Sequence, residues 1–211
     1  MADIFATLEQ IGVVPVITIE RADAALPLAR ALHAGGIPCA EITFRTAAAT
    51  AAIARIAGAL PDMLVGAGTV LTVAQAEQAV AAGARFLVSP GFAPALAAWC
   101  RTRSIPLLPG VATPTEVMQA LDYDLRVLKF FPAEEAGGVA MLRALAGPFA
   151  QVRFVPTGGI SPANLRDYLA LPNVIACGGS WMAGSRLINT GQWAEITSLA
   201  AQARELVDAA L

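Results

Sequence analysis

Short β-rich runs and alanine-rich helical stretches alternate along the whole chain, and this alternation limits its possible folds more than any single residue does. Candidate strands fall at 13–19, 39–44, 64–67, 86–89, 106–108, 127–131, 153–156 and 174–176. Each is followed by a stretch of helical character, at about 21–34, 46–59, 72–82, 93–103, 114–121, 136–146, 161–169 and 192–210, and a short helix at about 2–11 precedes them all. Repeated strand–helix units dictate a parallel sheet. Eight of them is the count that closes a (β/α)8 TIM barrel, and a chain of 211 residues matches the roughly 200–250 residues of a compact one. The expectation is a single α/β domain over residues 1–211, a TIM barrel with a short N-terminal helix. An open doubly wound sheet is the alternative. No linker or low-complexity stretch divides the chain. The alanine-rich run 47–59 reads as a packed helix, because Ile53 and Ile56 recur at helical spacing.

Composition narrows the function. The chain carries a net charge of −2 with no basic stripe, which argues against nucleic-acid binding. No apolar run approaches the roughly 18–20 residues needed to span a bilayer, so no membrane partner is expected. The opening Met1-Ala2-Asp3-Ile4-Phe5 lacks the basic region and apolar core of a signal peptide. Cys39, Cys100 and Cys177 are odd in number, widely spaced and in apolar contexts, as reduced structural thiols would be. Together these features lead to the expectation of a cytoplasmic protein. The single histidine, His33, falls near the end of a helical stretch that stops at Gly35-Gly36. One histidine and three dispersed cysteines do not build a zinc site, and no histidine triad can form, so neither metal nor cofactor is expected.

Lys129 is the only lysine in the chain, and every other Lys/Arg position is arginine. It sits in the mostly apolar run Arg126-Val127-Leu128-Lys129-Phe130-Phe131-Pro132. Arginine does not shed its proton near neutrality, whereas a desolvated lysine can act as a free amine and form a Schiff base with a carbonyl substrate. The bland alternative is a lysine snorkelling from a strand end. Barrel chemistry sits at the C-terminal ends of the strands. Strand alternation puts Lys129 inward when Leu128 and Phe130 face the helices. In Glu41-Ile42-Thr43-Phe44-Arg45 the odd positions share a face, which sets a carboxylate inside and a guanidinium at the mouth. Glu41 suits proton transfer and Arg45 suits a substrate carboxylate. Glu41 and Arg45 could instead pair with each other, but about 13 Å of extended strand separates their backbones. In Val65-Gly66-Ala67-Gly68-Thr69 the glycines would admit substrate to the backbone, and Thr69 offers a hydroxyl. Thr157-Gly158-Gly159 and Cys177-Gly178-Gly179-Ser180 follow the seventh and eighth expected strands, the recurrent place for phosphate-binding loops.

These segments occur in order with Pro15-Val16-Ile17, Glu41-Ile42-Thr43-Phe44-Arg45-Thr46, Gly66-Ala67-Gly68-Thr69-Val70, Ser89-Pro90-Gly91 and Pro109-Gly110-Val111. Lys129-Phe130-Phe131-Pro132-Ala133-Glu134, Gly147-Pro148-Phe149, Pro156-Thr157-Gly158-Gly159-Ile160 and Gly178-Gly179-Ser180-Trp181 complete the set. Over essentially its whole length the chain resembles the bacterial 2-keto-3-deoxy-6-phosphogluconate aldolases, which often also act as 4-hydroxy-2-oxoglutarate aldolases. The resemblance implies a metal-free class I aldolase, typically a homotrimer, that cleaves a phosphorylated keto acid to pyruvate and glyceraldehyde 3-phosphate in the Entner–Doudoroff pathway. By the same resemblance Lys129 is the Schiff-base lysine and Glu41 the general acid/base. Arg45, Thr69 and Thr157 surround the pyruvate carboxylate and reacting centre, and Phe131 packs on the pyruvyl group. Gly158, Gly159, Gly179 and Ser180 hold the phosphate. The pattern departs at the end of the first strand, where some relatives carry a basic residue and this chain has Ile17-Thr18-Ile19. Two other readings stay open beside it. A mainly 4-hydroxy-2-oxoglutarate-cleaving enzyme shares the whole site, and a phosphosugar isomerase or epimerase shares the phosphate loops without an imine lysine.

Overall fold

The structure, a computed structural model, describes residues 4–210. Ala2 and Asp3, the first two residues of the expected N-terminal helix, lie outside it, as do Met1 of the opening segment and Leu211. The chain runs α1 (Ile4–Ile11), β1 (Val13–Ile17), α2 (Ala25–Ala34), β2 (Cys39–Thr43), α3 (Ala49–Ala59), β3 (Leu64–Gly68) and α4 (Val73–Ala81). It continues with β4 (Leu87–Val88), α5 (Pro94–Arg103), β5 (Leu107–Leu108), β6 (Gly110–Val111), α6 (Pro114–Leu121), β7 (Val127–Phe130) and α7 (Gly138–Ala146). The last elements are β8 (Arg153–Pro156), α8 (Leu165–Leu169), β9 (Cys177–Gly179), α9 (Ser185–Asn189) and α10 (Trp193–Asp208).

The strands do not form the expected closed TIM barrel. All ladders are parallel, as βα units require, but they fall into two sheets. One is a six-stranded half-barrel in the order β5-β4-β3-β2-β1-β9, and the other is three-stranded, β6-β7-β8. The first break falls at Pro109, just past the fifth expected strand; its ring nitrogen has no hydrogen to donate to a ladder, and it separates β5 from β6, a further short strand outside the expected set. At the other edge, the β8 side meets the segment leading into β9 only through the isolated bridge Phe154–Val174, and β9 itself only through the isolated bridge Thr157–Gly178. The result is an α/β fold related to the barrel rather than an eight-stranded ladder.

Most elements lie within a few residues of their expected places, and α6 occupies the expected range. Its start is a capping box, in which the Thr113 hydroxyl accepts from the Glu116 amide and the Glu116 carboxylate accepts from the Thr113 amide. The eighth expected strand is displaced. Pairing with β1 begins at Cys177, opposite Val13, so β9 comprises Cys177–Gly179 rather than residues 174–176. The glycines expected in a loop after that strand therefore form the strand itself. The short helix α9 has no counterpart among the expected elements.

Inner and outer strand faces are both buried, as a parallel sheet covered by helices requires. Phe130 and Phe154 stack edge to face, with ring centroids 6.4 Å apart, and both are fully buried. Leu8, fully buried on α1, reaches the interior and forms part of the floor beneath the inward side chains of the sheets. Burial of such a leucine contributes about 2–3 kcal/mol.

Candidate active site

Among the described residues, β2 and β7 carry the two buried charged side chains. Glu41 and Lys129 are 3 % and 5 % exposed, and the Lys129 Nζ lies 3.7 Å from Glu41 Oε1. That spacing is an ion pair but not a hydrogen bond, and Glu41 Oε1 has no hydrogen-bond partner among the described residues. Leaving a buried acceptor unsatisfied costs about 1–3 kcal/mol, which marks a site shaped for something other than stability. Arg45 does not pair with Glu41. It is exposed in the turn after β2, with no ion pair or hydrogen bond to another described side chain.

The glycines of β3 make room for Glu41. A Cβ on Gly68 would stand 2.1 Å from Glu41 Oε1, and one on Gly66 would stand 2.3 Å from the Phe86 ring. Their inward faces thus accommodate neighbouring side chains rather than admitting substrate to the backbone. Thr69, next in sequence, has φ +55°, a left-handed conformation unusual for a β-branched residue. It does not line either cavity described below.

Two cavities meet at Thr157. A small one, about 10 Å³, is bounded by Leu8, Glu41, Phe86, Lys129 and Thr157, among others. A larger open one, about 350 Å³, is lined by Arg45, Phe131, Thr157, Gly158, Gly159, Gly179 and Ser180. All of the sequence-predicted site residues except Thr69 therefore line one cavity or the other. The Phe131 ring lies over the amine, with its centroid 4.9 Å from Lys129 Nζ, a cation–π distance. Thr157 is buried, and the 3.4 Å contact from its hydroxyl to the Val155 carbonyl is long, leaving the hydroxyl weakly committed.

The upper cavity is built from backbone. Gly158 and Gly159 have φ +98° and +77°, conformations that glycine adopts without strain. The amides of Gly159, Ile160 and Ser180 make no hydrogen bond to another described residue. Free amides beside the single cation lining the cavity, Arg45, form an anion-binding surface. Glu134 packs against Gly159 and accepts a hydrogen bond from Tyr168. Burial, and then that hydrogen bond, push the Tyr168 phenol well above its usual range. Gly179 lies flat under the Trp181 ring, where a Cβ would come within 1.8 Å.

Val16, Thr18, Ile160, Gly178 and Ala183–Ser185 also line the large cavity; Val16, Ile160 and Gly178 fall in the family-like motifs without a site role of their own, and nothing in the sequence singles out Ala183–Ser185. Only a threonine where relatives carry a basic residue drew attention to Thr18. The three cysteines are free and buried, and burial pushes the Cys100 thiol up to about 11. His33 is exposed in the last turn of α2. Among the described residues, no three His, Cys, Asp or Glu side chains cluster to hold a metal ion, and no helix is long and apolar enough to cross a membrane.

The model of the family described as KDPG and KHG aldolase matches residues 4–199. The chain is 53 % identical to the 2-dehydro-3-deoxy-phosphogluconate aldolase of Treponema pallidum, over 98 % of this chain and 99 % of that protein. It is 50 % identical to the KHG/KDPG aldolase of Escherichia coli, over 92 % of this chain and 91 % of the relative. Among solved structures it resembles the KDPG aldolase of Legionella pneumophila, in which pyruvate was captured at low pH as a covalent carbinolamine intermediate. That match has a TM-score of 0.92 and 46 % identity, and covers 95 % of this chain and 97 % of the other.

Proposed function

Because this chain belongs to the KDPG and KHG aldolase family, we propose that it is a class I aldolase cleaving 2-dehydro-3-deoxy-6-phosphogluconate to pyruvate and D-glyceraldehyde 3-phosphate. The observation that carries the reading is the buried Lys129 amine 3.7 Å from a Glu41 oxygen that has no other partner. The amine attacks the C2 ketone to give a carbinolamine, and loss of water gives a protonated imine. Glu41 takes the proton of the C4 hydroxyl, the C3–C4 bond breaks, and its electrons collect on the imine as an enamine. Protonation of C3 and hydrolysis then release pyruvate and the free lysine. Arg45 and Thr69 orient the carboxylate, with Thr157 beside the reacting centre and Phe131 against the pyruvyl group. Gly158, Gly159, Gly179 and Ser180 hold the distal phosphate, and binding energy from that phosphate aligns the scissile bond. The free amides of Gly159, Ile160 and Ser180 support the phosphate assignment.

The same reading makes the chain a single-domain, cytoplasmic enzyme of the Entner–Doudoroff pathway that works as a homotrimer. Exposed Leu71 and Met118 provide apolar surface for such an assembly to cover, and three free cysteines suit a reducing compartment. The test measures pyruvate release from the phosphorylated six-carbon substrate and from 4-hydroxy-2-oxoglutarate. We expect kcat/KM to favour the phosphorylated substrate by at least about tenfold, the size of one modest anion contact. Release of pyruvate from neither substrate would overturn the reading.

A further inference from the structure

Where β1 ends, the structure presents a hydroxyl whose proton is already committed. Thr43 Oγ1 lies 2.9 Å from the Ile17 carbonyl oxygen and 3.1 Å from Thr18 Oγ1. A carbonyl only accepts, so the one hydroxyl proton of Thr43 goes to Ile17. The contact between the two threonines must then take its proton from Thr18. Thr43 is fully buried, which shields this order from solvent. Thr18 lines the large cavity, so it turns only lone pairs toward a ligand there.

We propose that Thr18 is a specificity-determining residue that accepts a hydrogen bond from the hydroxyl on carbon 5 of the substrate. This rests on the aldolase reading above. A carboxylate or a dianionic phosphate has no proton to give, so neither is favoured opposite Thr18, whereas a sugar hydroxyl is. The height also fits. Thr43 is two residues beyond Glu41 on the same strand face, so its layer stands about 6.6 Å nearer the mouth. Carbon 5 is three carbons along the substrate from the imine carbon, on the path from the Lys129 amine toward the free amides. The end of β1 thus contributes selection for a hydroxyl rather than a further anion contact.

The test runs the reaction in the condensation direction, with pyruvate and either glyceraldehyde 3-phosphate or the same phosphorylated aldehyde lacking its 2-hydroxyl. The quantity read is the ratio of kcat/KM for the two aldehydes in the wild type, Thr18→Val and Thr18→Ser. We expect the preference for the hydroxylated aldehyde to fall roughly three- to tenfold in Thr18→Val, the equivalent of one hydrogen bond, and to return in Thr18→Ser. Proportional loss for both aldehydes would mean that Thr18 meets the phosphate or only shapes the wall, and would overturn the proposal, as would an unchanged ratio. A wild type that condenses neither aldehyde would bring down the aldolase reading itself, and this proposal with it.

Discussion

The cavity of about 10 Å³ around Glu41 and Lys129 is walled by side chains, whereas the one of about 350 Å³ above it is walled largely by backbone and hydroxyls. Below, Glu41 and Lys129 are buried with few polar neighbours, so their interaction is little screened by water. Above, amides and Arg45 face an open volume where an anion would remain partly solvated. The difference separates labour within one site. On the proposed reading, reactivity rests on a few buried atoms whose identity cannot be exchanged, and recognition on a surface of many weaker donors.

If that division holds, changes below should act on turnover and changes above on binding. Glu41→Gln removes the proposed base and keeps the shape. We expect kcat for cleavage to fall by about 10²–10⁴, while imine formation, followed in a single turnover with pyruvate, slows less. Wild-type rates for both steps would make Glu41 structural and erase the contrast. A smaller effect is expected from Gly179→Ala in the upper wall, where the new Cβ would meet the Trp181 ring at 1.8 Å. The ring must shift, so urea unfolding should register a loss of about 1–3 kcal/mol. KM for the phosphorylated substrate should rise several-fold with kcat changed less. An equal fall in kcat would show that the two cavities are not independent.

Much of the lower cavity is legible in the sequence because strand phase decides which side chains face inward. Lys129 and Glu41 follow from alternation alone, and the Lys129 amine and the Glu41 carboxylate do meet. The upper cavity is less so. Ser185 enters it through α9, a five-residue helix too short for any periodic signal. The strand limits around β9 depend on its pairing with Val13–Pro15 far away in sequence, so the local run 174–176, apolar and β-branched, misleads. Sheet closure is likewise nonlocal. Eight strand signals predict a barrel, but Pro109 and the sparse bridging beside β8 leave two sheets. The proton order at Thr18 depends on a hydroxyl 25 residues away and has no sequence signature.

The central claim is that the Lys129 amine forms the covalent intermediate, and its uniqueness in the chain makes the test direct. Borohydride added in the presence of pyruvate should attach one reduced pyruvyl group to the protein, and peptide mapping should find it on Lys129. Full turnover with no trapped adduct, or full activity in Lys129→Arg, would contradict the account.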